Sequence, residues 1–164
     1  MKKLFLFLIV LFVLTGCATK YQSTGLTGGY SETQLGENIF QVSFRGNAYT
    51  SSEKAVDFTL LRSAELAMEN GFNYFEIVES GSHNKMSSYT TPTRSYTTGS
   101  VYGTGNYAYG SATTTTRGGQ TYLMSKPRAN NTIVCYKDKP QTNNIVYEAR
   151  FVANSIKTKY GIEE

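Results

Sequence analysis

Alternating apolar and polar side chains mark the first strand of the chain. Between Ile39 and Arg45, the residues Phe40, Val42 and Phe44 alternate with polar ones. A period of two residues is typical of a strand that buries one face. The pattern therefore predicts a strand here, with these three side chains on the core face.

A helical period replaces the alternation a few residues later. Thr50 precedes Glu53 at capping-box spacing, and Gly71 follows Asn70, so the sequence predicts a helix between a Thr50 N-cap and a Gly71 C-cap. One stripe of this helix is expected in the core: Val56, Leu60, Leu61, Ala64, Ala67 and Met68. The opposite stripe is expected in solvent: Lys54, Arg62, Glu65 and Glu69.

Strand character returns after the helix and again near the end of the chain. Phe72–Glu79 is rich in aromatic and β-branched residues, and 121–125 and 132–137 form two further strand patterns separated around Pro127. Apolar residues at helical spacing then predict a C-terminal amphipathic helix over Asn144–Tyr160. We expect an α+β fold, a small sheet of three or four strands with two helices, in the order β-α-β-long loop-β-β-α and packed as a two-layer sandwich.

The segment 80–119 interrupts this order. Of its 40 residues, 24 are Ser, Thr or Gly and five are Tyr. Ordering forty residues costs on the order of 40–80 kcal/mol of backbone entropy, whereas burying the tyrosines returns roughly 20 kcal/mol. The balance favours a low-complexity loop with frayed strand ends. Two long Thr/Tyr-rich strands that extend a hairpin are the other interpretation.

The amino-terminal residues have the pattern of a bacterial lipoprotein precursor. Lys2 and Lys3 precede an apolar run, Leu4–Leu14, and the lipobox Leu14-Thr15-Gly16-Cys17 closes it. Eleven residues rise only about 16 Å as a helix, roughly half of a bilayer's hydrocarbon core. The run therefore predicts a cleaved signal rather than a membrane span.

The lipobox also predicts how the protein is held and where. We expect 1–16 to be removed as a lipoprotein signal peptide, and Cys17 to carry a covalent diacylglycerol and an N-acyl chain. Ala18 stands where an aspartate would retain an enteric lipoprotein in the inner membrane, so we expect the outer membrane, facing the periplasm. The remainder divides into a lipid-anchored tether over 17–37 and a single α+β domain over 38–162.

Composition argues against several classes of function. After signal removal, 14 basic and 12 acidic residues leave a charge of +2, too mild to predict nucleic-acid binding. His83 is the one histidine, and Cys, His and carboxylate residues lack the spacing of a metal site or a nucleophile–base pair. With Cys17 acylated, Cys135 is the remaining thiol, and its apolar neighbours predict a buried core position. We expect no enzyme activity, no metal and no cofactor beyond the acyl chains.

Charge is unevenly distributed along the chain. No carboxylate occurs between Glu79 and Asp138, whereas basic residues interleave with tyrosines there, among them Lys85, Arg94, Arg117, Lys126 and Arg128. Such a segment favours contact with an envelope protein or an anionic cell-wall polymer, although a soluble Ser/Thr-rich spacer has the same composition. The candidate contact residues are Arg94, Tyr96, Tyr102, Tyr107, Tyr109 and Arg117.

These observations favour a structural or protein-interaction module attached to the membrane through its lipid. A peptidoglycan- or lipopolysaccharide-binding lipoprotein and an envelope-stress signalling lipoprotein remain as alternatives. Segments along nearly the whole mature chain carry a further likeness: Thr27–Glu32, Val42–Asn47, Leu61–Leu66, Gly71–Phe75 and Asn131–Tyr136. The chain resembles, in these segments, a family of uncharacterised Gram-negative outer-membrane lipoproteins. The resemblance implies a lipid-anchored envelope protein and brings no catalytic residues.

Overall fold

The structure, a computed structural model, describes residues 18–163, so the signal peptide 1–16 and Cys17 lie outside the described part. Neither helix in 18–163 is long and apolar enough to cross a membrane. The elements follow one another as β1 (Gly29–Gln34), β2 (Ile39–Arg45), α1 (Ser52–Glu69), β3 (Tyr74–Thr90), β4 (Arg94–Thr104), β5 (Tyr107–Arg117), β6 (Thr121–Tyr136), β7 (Val146–Glu148) and α2 (Ala149–Tyr160).

The expected α+β sandwich with three or four strands is wrong. Strands account for 51% of the protein and helices for 21%, and the described strands form two antiparallel sheets. Five strands make a curled half-barrel sheet in the order β1-β2-β6-β3-β7, and β4 pairs with β5 in a second sheet. β4 and β5 are exposed along their whole length, so hydrophobic alternation does not mark them.

Two compact units replace the single domain expected over 38–162. Residues 18–85 and 125–163 form the larger unit, and Met86–Met124 form the smaller one. The segment 80–119, for which a loop was the favoured interpretation, is largely strand, as its alternative interpretation states.

The larger unit places both helices against one face of the five-stranded sheet. Its core joins β2, β6 and β3 to the helices through Phe40, Val42, Leu61, Ala64, Leu66, Ala67, Phe75, Ile133, Cys135, Ala149, Ala153 and Ile156. β6 pairs antiparallel with β2 and lies between β2 and β3. β2, α1 and β3 therefore form a split βαβ arrangement, in which a later strand separates the two that the helix connects.

Cys135 occupies the core position that its sequence predicts. Its side chain is 1% exposed, and it forms no disulfide. Burial raises the pKa of its thiol to about 12, so the reactive thiolate is scarce near neutral pH.

Helix α1 begins one residue later than the capping-box pattern predicts. Ser51, rather than Thr50, is the N-cap, and its Oγ accepts a hydrogen bond from the Lys54 amide at 3.1 Å. Thr50 is instead buried, and its Oγ1 accepts from the amides of Thr19 and Asn47.

Two side chains of α1 lie on the opposite side of the helix from the one predicted. Arg62 was expected in solvent but is 8% exposed, whereas Val56 was expected in the core but is 43% exposed. Arg62 is buried because carboxylates on β1 and on its own helix neutralise it, as for the Nη2–Glu32 pair at 3.0 Å. A projection that treats every arginine as solvent-facing cannot detect this.

The stretch expected as a tether over 17–37 is part of the larger unit within the described residues. Thr19 is 1% exposed, and its Oγ1 donates to Thr27 O at 2.8 Å and accepts from Asn47 N at 2.9 Å. From Gly29 onward, the chain pairs with β2 as strand β1. Short polar side chains that satisfy backbone groups attach this segment, together with the Tyr21 ring, whose centroid lies 5.3 Å from that of Phe58.

The carboxyl-terminal half differs from its prediction at two places. β6 is one continuous strand through Pro127, and α2 begins at Ala149 rather than Asn144 because β7 occupies the residues before it. The predicted end at Gly161 is confirmed, since this glycine adopts the left-handed conformation with φ of 61°.

Three side chains, of which Cys135 is buried and Tyr21 and Tyr160 are half-buried, make stability depend on alkaline pH. Burial, together with a hydrogen bond to Asp57, raises the pKa of Tyr160 to about 12, and burial and a hydrogen bond to Glu65 raise the pKa of Tyr21 still further. The Cys135 thiol is shifted in the same direction. Because the unfolded chain releases these protons at lower pH than the folded one, their stabilisation is complete below about pH 9 and declines as the pH rises towards 12.

We therefore expect the urea midpoint to be flat from about pH 7 to 9 and to fall steadily above it. Tyr160→Phe removes one of the shifted groups and should reduce that alkaline slope. Tyr49→Phe, at a tyrosine that is 71% exposed, is the matched control and should retain the full slope. Equilibrium unfolding followed by circular dichroism measures both; a midpoint that is constant to about pH 11 would contradict the assignment.

Candidate interaction face on the β4–β5 ribbon

The six candidate contact residues all lie in the β4–β5 ribbon of the smaller unit. In its register Arg94 is opposite Arg117, Tyr102 is opposite Tyr109, and Tyr107 is opposite Thr104. Directly opposed residues of an antiparallel pair share a face, and so do alternate residues of one strand. Tyr96 is two residues from Arg94 and six from Tyr102, so it joins them on that face.

We call this surface the tyrosine face. Its positions are Arg94, Tyr96, Thr98, Ser100, Tyr102 and Thr104 of β4, and Tyr107, Tyr109, Ser111, Thr113, Thr115 and Arg117 of β5. The other side of the ribbon, the small face, comprises Ser95, Thr97, Gly99, Val101, Gly103, Ala108, Gly110, Ala112, Thr114 and Thr116. Every aromatic and every charged residue of the ribbon therefore lies on one side of it.

The tyrosines project into solvent. Tyr96 is 62% exposed, and Tyr102, Tyr107 and Tyr109 are between 72% and 76% exposed. Eleven residues at about 3.3 Å each give strands of roughly 36 Å. The tyrosine face is thus a long strip of aromatic side chains that nothing within the smaller unit buries.

Hydroxyl groups on the small face contribute to holding the ribbon together. Ser95 Oγ lies 3.0 Å from Thr116 Oγ1, and Thr97 Oγ1 lies 2.9 Å from Thr114 Oγ1. Threonine also favours the extended backbone. Cross-strand pairs of this kind stabilise the ribbon without recruiting the tyrosines, which leaves the opposite face available for contact.

Gly105 and Asn106 turn the ribbon at its tip. They are the two residues between β4 and β5, and Gly105 has φ of 62°. A two-residue hairpin turn of type II′ requires positive φ at its first central residue, which glycine adopts without strain. The tight turn keeps Thr104 and Tyr107 paired to the end of the strands.

Positive charge is concentrated at the base of the tyrosine face. Arg94 and Arg117 are directly opposed, and neither has a carboxylate partner within residues 18–163. Like charges in directly opposed positions repel each other. An anionic group bound there would relieve the repulsion, so the arrangement suits stacking along the strip and anion recognition at its base.

Sequence reasoning identified the residues of this face but not the face itself. The even spacings of Tyr96 from Tyr102 and of Tyr107 from Tyr109, either side of Gly105-Asn106, are the signal that predicts a shared side of two strands. His83, expected in an unstructured loop, lies in β3 of the larger unit.

Over residues 18–163, no group of three or more His, Cys, Asp or Glu residues could hold a metal ion. Comparisons with models of protein families, with curated proteins and with solved structures found no match to this chain, so the family resemblance stays a prediction.

Proposed function

We propose that this protein is a lipid-anchored envelope protein that binds a partner protein on the tyrosine face of its β4–β5 ribbon. The observation that carries the proposal is the one-sided distribution of side chains in the ribbon. All four tyrosines and both arginines face one way, and no side chain on the other face is larger than Val101.

The chemistry of the face supports binding. Tyrosine has a large amphipathic side chain with only two rotatable bonds, so it loses little entropy when a partner covers it, and tyrosine and arginine dominate the energetics of protein interfaces. The strip exposes four such tyrosines. Its twelve positions include no histidine, cysteine or carboxylate, so they support recognition rather than acid–base or nucleophilic catalysis.

The cellular location in this proposal is inferred from the lipobox. Acylation of Cys17 would attach the protein to the outer membrane and leave the ribbon in the periplasm. In that setting, the ribbon would hold a second envelope component close to the membrane.

The test compares two pairs of substitutions on opposite faces of one ribbon. Tyr102→Ser with Tyr109→Ser removes a cross-strand tyrosine pair from the tyrosine face, and Val101→Ser with Ala112→Ser alters the small face. Two interface tyrosines at about 1–2 kcal/mol each predict at least a tenfold loss of partner recovered after formaldehyde crosslinking in cells, whereas the small-face variant should match the native protein. Equal recovery of the partner from both variants would refute the assignment of the tyrosine face as the binding surface.

One observation favours an anionic cell-wall polymer as a second candidate partner. The opposed Arg94 and Arg117 would pair with a phosphate or carboxylate-bearing polymer more readily than with a neutral surface. Co-sedimentation of the lipidated protein, held in detergent, with purified sacculi distinguishes the two. Binding that disappears between about 50 and 500 mM salt, and in Arg94→Gln with Arg117→Gln, indicates the polymer.

A further inference from the structure

A second uncompensated charge cluster lies on the larger unit, on the face of the five-stranded sheet away from the helices. Arg45 of β2 is directly opposite Arg128 of β6. Their neighbours Phe44 and Ala129 point to the core, so the two arginines point away from it. We call this side the outer face of the sheet.

Further basic residues extend the pair. His83 of β3 lines the same cavity of about 290 Å³ as Arg45 and Arg128, together with the hydrogen-bonded hydroxyls of Ser31 and Ser43. Lys85 lies two residues after His83 on β3, and Lys126 two before Arg128 on β6, so strand alternation directs both to the outer face. These five residues, Arg45, His83, Lys85, Lys126 and Arg128, are the basic patch.

No carboxylate neutralises the patch within the described chain. None of the ion pairs found over 18–163 involves its residues. The carboxylate of Glu79, which accepts a hydrogen bond from Thr132 Oγ1, is four residues from His83, or about 13 Å along β3. The opposed arginines therefore face solvent with their repulsion unrelieved.

The patch lies beside the point where the chain enters the larger unit. Thr19 Oγ1 accepts a hydrogen bond from Asn47 N, two residues beyond Arg45, and Gly46 N donates to Pro127 O, between Lys126 and Arg128. Thr19 is buried and therefore fixed in place. Two residues of chain span at most about 7 Å, so an acyl group on Cys17 would hold this end of the sheet at the membrane.

We propose that the basic patch docks on anionic phospholipid headgroups, so that the outer face of the sheet lies on the membrane that holds the lipid of Cys17. This inference rests on the acylation of Cys17 in the proposed function. Basic residues beside a lipid anchor are attracted to anionic headgroups over a distance of about one Debye length. The acyl chains supply attachment, and the patch sets which side of the larger unit faces the bilayer.

The experiment measures how the reconstituted protein sits on vesicles. Mature lipidated protein carrying Ser31→Cys is labelled with a fluorophore at this exposed position on the outer face; Cys135 is buried and does not compete for the reagent. Vesicles contain either neutral lipids alone or about 30% phosphatidylglycerol. We expect iodide to quench the fluorophore at least twofold less on anionic vesicles at low salt, and the difference to vanish at about 0.5 M salt.

Matched variants separate orientation from attachment. Arg45→Gln with Arg128→Gln should abolish the protection, whereas Lys137→Gln with Lys139→Gln, an equal loss of charge at two exposed residues, should retain it. A label at Asn154, on α2, should be quenched alike on both vesicles. Thermal unfolding that matches the native protein shows that the arginine variant folds.

Two failures can be told apart by flotation. Protein that floats with both vesicle types but is quenched equally at position 31 is anchored without docking, which overturns this inference and leaves the proposed function standing. Protein that does not float with either vesicle type is not anchored by lipid, which overturns both.

Discussion

Replacing Arg62 by leucine is expected to destabilise the larger unit by about 3–5 kcal/mol, because it leaves partly buried carboxylates without their cation. Arg62 Nη2 lies 3.0 Å from Glu32 Oε1, and its Nη1 lies 2.7 Å from Glu69 Oε1. Burial alone would lower the pKa of this guanidinium, but the two carboxylates raise it. The residue is therefore a fixed positive charge that joins β1 to α1.

Contacts of Arg62 with Glu65 and with the Tyr30 ring add to the stability that this variant loses. Glu65 Oε2 lies 3.6 Å from Arg62 Nη1, and the side chain of Glu65 is only 15% exposed. The Tyr21 hydroxyl donates to that same carboxylate, and the guanidinium lies 4.8 Å from the centre of the Tyr30 ring. Leucine would retain part of the packing but neither the charge nor the hydrogen bonds.

Urea unfolding followed by circular dichroism measures the change. The control is Lys159→Leu, which removes a cation that bridges Glu53 at 2.6 Å and Asp57 at 2.7 Å but is about half exposed. Exposed pairs contribute about 0–1 kcal/mol, so this variant should remain close to the native protein. If Arg62→Leu lost no more stability than Lys159→Leu, the network would have no structural role.

Replacing Cys17 by serine is expected to abolish membrane attachment. Serine has no thiol to receive the diacylglycerol, and two acyl chains contribute on the order of 20 kcal/mol to membrane binding, far more than the basic patch can replace. The variant should therefore be absent from membrane pellets washed at high salt and should incorporate no labelled palmitate.

Cys135→Ala is the matched control for the thiol. Cys135 is buried in the core and forms no disulfide, so its loss should leave both palmitate labelling and pelleting unchanged. Labelled palmitate on the Cys17→Ser variant would show that the lipid is attached to another residue. It would contradict the membrane anchor at Cys17 on which the proposed function depends.

Hydrophobic alternation predicted β2 with the bounds that the structure has, because one face of this strand is fully buried. β4 and β5 have no buried face, so neither burial nor periodic hydrophobicity could identify them. Their ordering comes instead from backbone pairing, from hydroxyl pairs such as Thr97 with Thr114, and from the Gly105-Asn106 turn. The entropy argument against an ordered segment omitted these contributions.

Pro127 misled the prediction of β6 for a different reason. A proline is expected to interrupt an interior strand because it lacks the N–H that a neighbour would bond. Its carbonyl accepts from Gly46 N, so the missing donor faces the side of β2. β2 ends at Arg45, opposite Arg128, so Pro127 lies one position beyond the end of the β2 ladder, and its missing N–H interrupts no pairing within β2 itself. Tertiary context of this kind is not present in a local pattern.

The central claim is that one face of the ribbon is the contact surface, and its most direct test is a crosslinker scan along β4. A photoreactive amino acid would replace each residue from Arg94 to Thr104 in turn, and crosslinks would be formed in living cells. The account predicts a period of two, with adducts at the even-numbered positions of the tyrosine face and few at the odd-numbered positions of the small face. Adducts of equal yield at odd and even positions, or only at odd ones, would contradict it.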